Sequence, residues 1–309
     1  DPARLAPLRA LPGAGDRLEV AEVDVLDGAA VALALAGGNA VIHAASPYHL
    51  DVADPERDLV RPAVEGTRAV MRAAAAEPTI TRVVVTSSVA ALTDEPPPRP
   101  LDERDWNTSS TLTRNPYYLS KTLAERAAHE LAESPEGARL RVVTLLPGVV
   151  LGPCLSSHVS ESHHVLLDLL RGRIPGYIAL AWGLVDVRDV ARAHVDALEV
   201  AAARGRYVCV AGTRTMREVV AVLRSTRASP VGLPRMPWDR PPFGVFVRAS
   251  LVLWPPGVRA FVRSHLGRAP AYDTSRIARD LAFAPRHPDE TLRDTVESFL
   301  AHGHVPVRA

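Results

Sequence analysis

Tyr117 and Lys121 stand four residues apart in Tyr117-Tyr118-Leu119-Ser120-Lys121, at the start of a stretch with helical periodicity. That spacing puts both side chains on one face of a helix. Carbonyl reduction needs a proton donor near neutral pH, whereas a free phenol titrates near ~10. A neighbouring ammonium favours phenolate and lowers that value by roughly one to three units. Tyr117 is thereby the candidate general acid/base, with Lys121 tuning it and within reach of a ribose hydroxyl. Tyr118 has Thr122 at the matching offset, so the pairing selects Tyr117. Taken alone the spacing is weak, because a lysine lying along an exposed helix face produces it too.

The surroundings strengthen it. The apolar run Arg82–Thr86 leads directly into Ser87-Ser88, placing hydroxyls at the carboxyl end of a central strand. Ligands of open α/β sheets bind at that edge. One of these serines can hydrogen-bond a substrate oxygen and stabilise developing negative charge. For Ser87 the simpler role is to cap the chain as it leaves the strand. Ala44-Ala45-Ser46-Pro47 ends another run with small residues that admit a flat ligand. Val23-Asp24-Val25 ends the first with a carboxylate, and Pro147-Gly148-Val149-Val150 follows a fourth. His163-His164 has no carboxylate or cysteine at metal-ligand spacing, so a polar loop is expected there and no metal.

These residues need a parallel sheet behind them. Expected strands are Leu18–Val23, Ala40–Ala44, Arg82–Thr86, Arg141–Leu146 and Arg206–Val210, alternating with helical stretches. Unbroken apolar runs such as Val83-Val84-Val85 suit strands buried on both faces. Asp54-Pro55 and Asn115-Pro116 each offer an N-cap followed by proline at the first helical position. Apolar spacing predicts helices over Val64–Ala76, Leu119–Leu131 and about Asp289–Ala301, the last stopped by Gly303. After about residue 214 the pattern changes to proline clusters and arginine-rich helices. The expected organisation is a dinucleotide-binding domain over 1–153 and 184–213, with a smaller, mostly helical substrate lobe over 154–183 and 214–309.

The totals agree with a globular α/β chain. It has 309 residues, 47% hydrophobic and 23% charged, with mean hydropathy +0.03. A formal net charge of +1 gives no electrostatic reason to expect nucleic acid or an anionic membrane. Cys154 and Cys209 alone build no disulfide framework, so a reducing, cytoplasmic setting is the default. The apolar stretch Phe243 to Val262 is broken by Arg248, Pro255, Pro256 and Arg259, which suits a helix pair and not a membrane span.

The order of the pieces resembles the extended short-chain dehydrogenase/reductase family (the NAD-dependent epimerase/dehydratase superfamily), and most its dihydroflavonol-4-reductase-like branch. The matching text is His43-Ala44-Ala45-Ser46-Pro47, Pro62 to Thr67, Val85-Thr86-Ser87-Ser88, Tyr117 to Glu125, Leu151-Gly152-Pro153, Val185 to His194 and Gly205-Arg206-Tyr207. The resemblance implies a Rossmann-like, doubly wound parallel sheet and an NAD(P)H-dependent oxidoreductase that reduces a ketone or aldehyde, NADPH being favoured over NADH. It implies catalytic roles for Ser88, Tyr117 and Lys121. Asp24 and Val25 would lie beside the adenine, Ala44, Ala45 and Ser46 along the cofactor, and Pro147 near the nicotinamide. Ser162 is a looser match to a cofactor-contacting serine, and His194 belongs to a supporting helix.

Members of that family open with a strand, a glycine-rich turn and a helix, then a second strand, and this sequence shows none of them. Pro12-Gly13-Ala14-Gly15 is expected to follow no strand and to open no helix of the length the glycine-rich turn requires. The expectation is a chain lacking its phosphate loop, with weakened cofactor binding and an open sheet edge. A small-molecule carbonyl compound is the expected partner, and a homodimer stays open. Two other readings also stay open: a sugar-nucleotide epimerase or dehydratase, and a non-catalytic binding protein.

Overall fold

The computed structural model describes residues 2–47, 52–228, 232–240, 243–254 and 256–307. In chain order these form α1 (Pro2–Arg9), α2 (Ala14–Arg17), α3 (Gly28–Leu35), β1 (Ala40–His43), α4 (Arg61–Ala76), β2 (Arg82–Thr86) and α5 (Pro116–Glu133). Next come β3 (Arg141–Pro147), β4 (Val149–Leu151), α6 (Glu161–Leu170), β5 (Ala181–Asp186), α7 (Val187–Glu199), β6 (Gly205–Cys209) and β7 (Gly212–Thr215). The chain closes with α8 (Met216–Arg224), α9 (Phe243–Ser250), α10 (Pro256–His265), α11 (Ser275–Leu281) and α12 (Pro288–Ala301).

The main sheet runs β1-β2-β3-β6, all parallel, in the Rossmann-like manner. Its β-branched strands are sandwiched by helices, so Val83, Val84, Val143 and Leu145 are almost fully buried. Fully burying such a side chain stabilises by about 1.5–3 kcal/mol. The register pairs His43 with Val85, Thr86 with Leu145 and Pro147 with Cys209. That alignment brings the carboxyl ends of the strands to one edge. A second sheet, β4-β5-β7, was not expected. It begins one residue after β3 ends, across Gly148, where a Cβ would run into the Gly183 carbonyl. A separate apolar cluster joins α6, α8 and α12 to this sheet, including Leu166, Leu180, Leu223 and Phe299.

Four of the five expected strands form, each within a residue or so of its expected ends. Leu18–Val23 does not. It is irregular, Leu18 and Val20 are exposed, and β1 pairs only with β2 among the described residues. Alternating apolar residues cannot make a strand without a ladder to bond to. Its end is likewise no strand end: Asp24 is exposed, and its Oδ1 accepts the Leu26 N–H at 2.9 Å in a turn.

The helix starts also differ in their chemistry. Asp54 caps the helical turn Glu56–Val60 that leads into α4, accepting the Arg57 N–H at 3.1 Å. Asn115 makes no side-chain cap. Its backbone is left-handed, φ 50°, and its amide reaches the buried Asp94 at 3.0 Å and Ser264 of α10 at 3.1 Å. His163-His164 is no loop but belongs to α6, where the buried His163 donates from Nε2 to the Gly152 carbonyl and accepts from Ser160. Among the described residues no helix is long and apolar enough to cross a membrane.

Candidate active site

Helix α5 lays its small-residue face, Ser120, Ala124, Ala127 and Ala128, in the interior. The same face carries Lys121 and Glu125 inside, at 8% and 1% exposure. Lys121 reaches a pocket at the carboxyl edge of the sheet, shared with His43, Ser46, Thr67, Thr86 and Glu125. Its Nζ donates to the Thr86 carbonyl at 3.4 Å. Burial disfavours the ammonium and Glu125 opposes that effect, leaving the amine at about 8. Lys121 is the only lysine among the 36 lysine and arginine side chains of the chain. Arginine does not titrate in the physiological range, so this is the one basic side chain of its type whose charge can respond to its surroundings.

Thr67 donates to the Ala63 carbonyl at 2.8 Å, so its oxygen accepts from His43 Nε2 at 3.1 Å. Burial, with Lys121 nearby, pulls His43 down to about 4 and keeps it neutral. Ala45 joins the pocket, while Ala44 is exposed beside it. Ser46 Oγ is buried without a hydrogen-bond partner in the protein. A buried hydroxyl left in that state costs stability unless something completes it. Together with the Lys121 amine, this orphaned donor fits the polar groups of a dinucleotide lying along Ala44–Ser46.

The two serines divide their roles in a way the sequence did not indicate. Ser88 Oγ accepts the Ala90 N–H at 3.2 Å, capping the short turn Val89–Ala91, and the residue is half-buried. Ser87 caps nothing: its hydroxyl donates to Glu125 at 2.6 Å. Tyr117 is half-buried in the first turn of α5, its ring edge-on to Tyr118 at 6.0 Å. The Tyr118 hydroxyl meets His265 Nε2 at 3.3 Å, which ties the same turn to α10.

The expected cofactor residues are scattered more widely. Pro147 ends β3, outside the pocket lining. Val25 sits over α4, where a Cβ on Gly66 would come within 2.9 Å of its Cγ2, so the bare glycine permits the close approach. Ser162 lies in the first turn of α6, also outside the lining.

Sequence reasoning missed the polar group beneath Lys121. The Glu125 carboxylate accepts from Ser87, from Thr144 at 2.8 Å and from Arg206 Nε at 2.8 Å. Burial would push this acid up, but contact with His129, the Arg206 guanidinium and the Ser87 hydroxyl bring it to about 2. Arg206 lies 3.7 Å over the Trp106 ring and donates to the Glu103 carbonyl. One signal was available: an acid four residues after Lys121, on the face that the helix buries.

The parallel sheet β1-β2-β3-β6 has the Rossmann-like form of a short-chain dehydrogenase/reductase; Lys121 lines the pocket at its carboxyl edge, and Ser88 and Tyr117 lie outside that lining. Residues 3–211 match the NAD dependent epimerase/dehydratase family, and the chain belongs to that family. It is an NAD(P)-dependent oxidoreductase of the dihydroflavonol-4-reductase-like branch. It is 34% identical over 249 residues to cinnamoyl-CoA reductase CAD2 of Medicago truncatula, covering 79% of this chain and 75% of that protein. Over 234 residues it is 36% identical to dihydroflavonol 4-reductase of Zea mays, covering 72% and 65%. The structure of Gre2 from Candida albicans in complex with NADPH superimposes with TM-score 0.72 at 26% identity, covering 90% of this chain and 82% of that one.

Proposed function

We propose that this chain reduces a ketone or aldehyde to the alcohol with NADPH. Supporting this most directly is Lys121, buried at the sheet edge with its amine on the Thr86 carbonyl, one helical turn after Tyr117. The named relatives are reductases, and Gre2 is an NADPH complex.

A reduced nicotinamide dinucleotide supplies one hydride, to the carbonyl carbon, when bound. All else falls to the protein. Tyr117 gives its phenolic proton to the carbonyl oxygen, and Ser88 hydrogen-bonds that oxygen and orients it. Lys121, charged at neutral pH, stabilises the phenolate left behind and holds a ribose hydroxyl. Ser46, Ala44 and Ala45 would hold the dinucleotide, with Asp24 and Val25 at its adenine end and Pro147 and Ser162 as further contacts.

The test is Tyr117→Phe, assayed against a panel of aromatic and aliphatic ketones and aldehydes. Turnover should fall by about 10²–10⁴, with NADPH binding, read by fluorescence titration, retained. Undiminished turnover would overturn the assignment. Conversion of a nucleotide sugar without carbonyl reduction would favour an epimerase or dehydratase instead.

A further inference from the structure

Glu125 lies one helical turn after Lys121, lines the same pocket and is more deeply buried than it. Three elements hold its carboxylate: Ser87 after β2, Thr144 of β3 and Arg206 of β6. Both carboxylate oxygens are engaged, since Arg206 Nη2 also reaches Oε2 at 3.3 Å. Thr144 commits its only proton to Glu125, so the 3.2 Å contact from His129 must be a donation from Nε2 to the threonine oxygen. Nothing in this cluster contacts a reacting atom, yet it joins the residue before Ser88 to the helix that carries Tyr117 and Lys121.

The two histidines near Lys121 are held neutral by burial, and the nearby Arg206 cation is bound to Glu125. His43, facing it from β1, is held down to about 4, and His194, beyond Thr86, is also lowered by burial. Tyr117 shares its helix face. Among the described residues lining the pocket, Glu125 is therefore the sole charge that answers Lys121. Without that charge, burial alone would act on the ammonium and favour loss of its proton.

We propose that Glu125, clamped by Arg206, is a positioning residue that keeps the Lys121 amine charged at neutral pH and fixes the Ser87–Ser88 strand end. This rests on the reductase reading only for its consequence in turnover; the charge itself is measurable without any substrate.

Because the chain has a single lysine, ¹³C-labelled lysine gives one side-chain signal, and its chemical shift against pH reports the Lys121 amine directly. Glu125→Gln should lower the midpoint by about one unit or more. Glu125→Asp, which keeps the charge, should stay near wild type. Removing one partner of a buried ion pair is strongly destabilising, whereas replacing both is often tolerated. If the single variant does not fold, Glu125→Gln with Arg206→Met is read in its place, and its midpoint should also lie below wild type. A midpoint unchanged from wild type in a folded variant lacking the carboxylate overturns the proposal. Tyr117→Phe is assayed in parallel: full turnover there sinks the proton-transfer reading while the lysine titration is decided on its own.

Discussion

Thr86 gives its hydroxyl proton to His194 across 2.7 Å, and the direction is fixed by the other side of the ring. His194 Nδ1 donates to the Val190 carbonyl at 2.8 Å, so Nε2 has only its lone pair to offer. The carbonyl of the same threonine accepts Lys121. A neutral, buried histidine on α7 thus secures the residue on which the lysine rests. His194 thereby joins α7 to the end of β2.

Thr86→Val keeps the shape of that side chain and strands the His194 lone pair. A buried acceptor without a donor costs about 1–3 kcal/mol. The expected result is an unfolding free energy lowered by that amount, read from urea denaturation, together with a measurable fall in turnover. No change in stability would mean that water completes the bond.

Acid should weaken the fold before the carboxylates are reached. His43 and His265 are 6% exposed, and both are held down from 6.5 to about 4, chiefly by burial. The folded form thus resists protonation that the unfolded chain accepts. Their contribution is complete above pH 6.5 and is lost as pH falls from 6.5 towards 4. Unfolding free energy at pH 5 should sit a few kcal/mol below that at pH 7. Glu125 acts later, because its depressed value keeps its contribution whole above about 4.5 and removes it on the way to about 2.

Asn115 holds a left-handed backbone two residues before Tyr117. Replacement by alanine loses the bonds to Asp94 and Ser264 and leaves a Cβ in that conformation. Glycine loses the same bonds without the steric cost, which is roughly 1–2 kcal/mol for an L residue. The order of stability by chemical denaturation should be wild type, then Asn115→Gly, then Asn115→Ala. Both variants should turn over more slowly, since the first turn of α5 keeps only the Tyr118–His265 tie to α10. An alanine variant as stable as glycine would show that the helix start has relaxed.

The features of this fold that were plain in the sequence are those set by nearby residues. Val83-Val84-Val85 and Val142 to Leu146 mark strands buried on both faces, and proline after Asn115 marks a helix start. Tyr117 and Lys121 share a face by spacing alone. What stayed hidden depends on partners far along the chain. Ser87, Thr144 and Arg206 lie 38, 19 and 81 positions from Glu125, and no local pattern announces their meeting. Leu18–Val23 has the composition of a strand and lacks only a ladder. Strands β4 and β7 span only three and four residues, and β5 is interrupted by Trp182-Gly183, so periodicity does not separate them from loops. Asn115 looked like a cap because its type favours one, but a buried carboxylate draws its amide away from the helix end.

The passage across Gly148 joins the two sheets with a single residue pressed against the Gly183 backbone, while its own N–H is bonded to the Cys209 carbonyl. A hinge needs slack, and this junction has none. Bending there would first have to break a backbone bond and pull apart a pair of glycines in contact. The floor under the sheet edge is therefore stiff where the two sheets meet, and α10 reaches the start of α5 only through side chains, Ser264 on Asn115 and His265 on Tyr118.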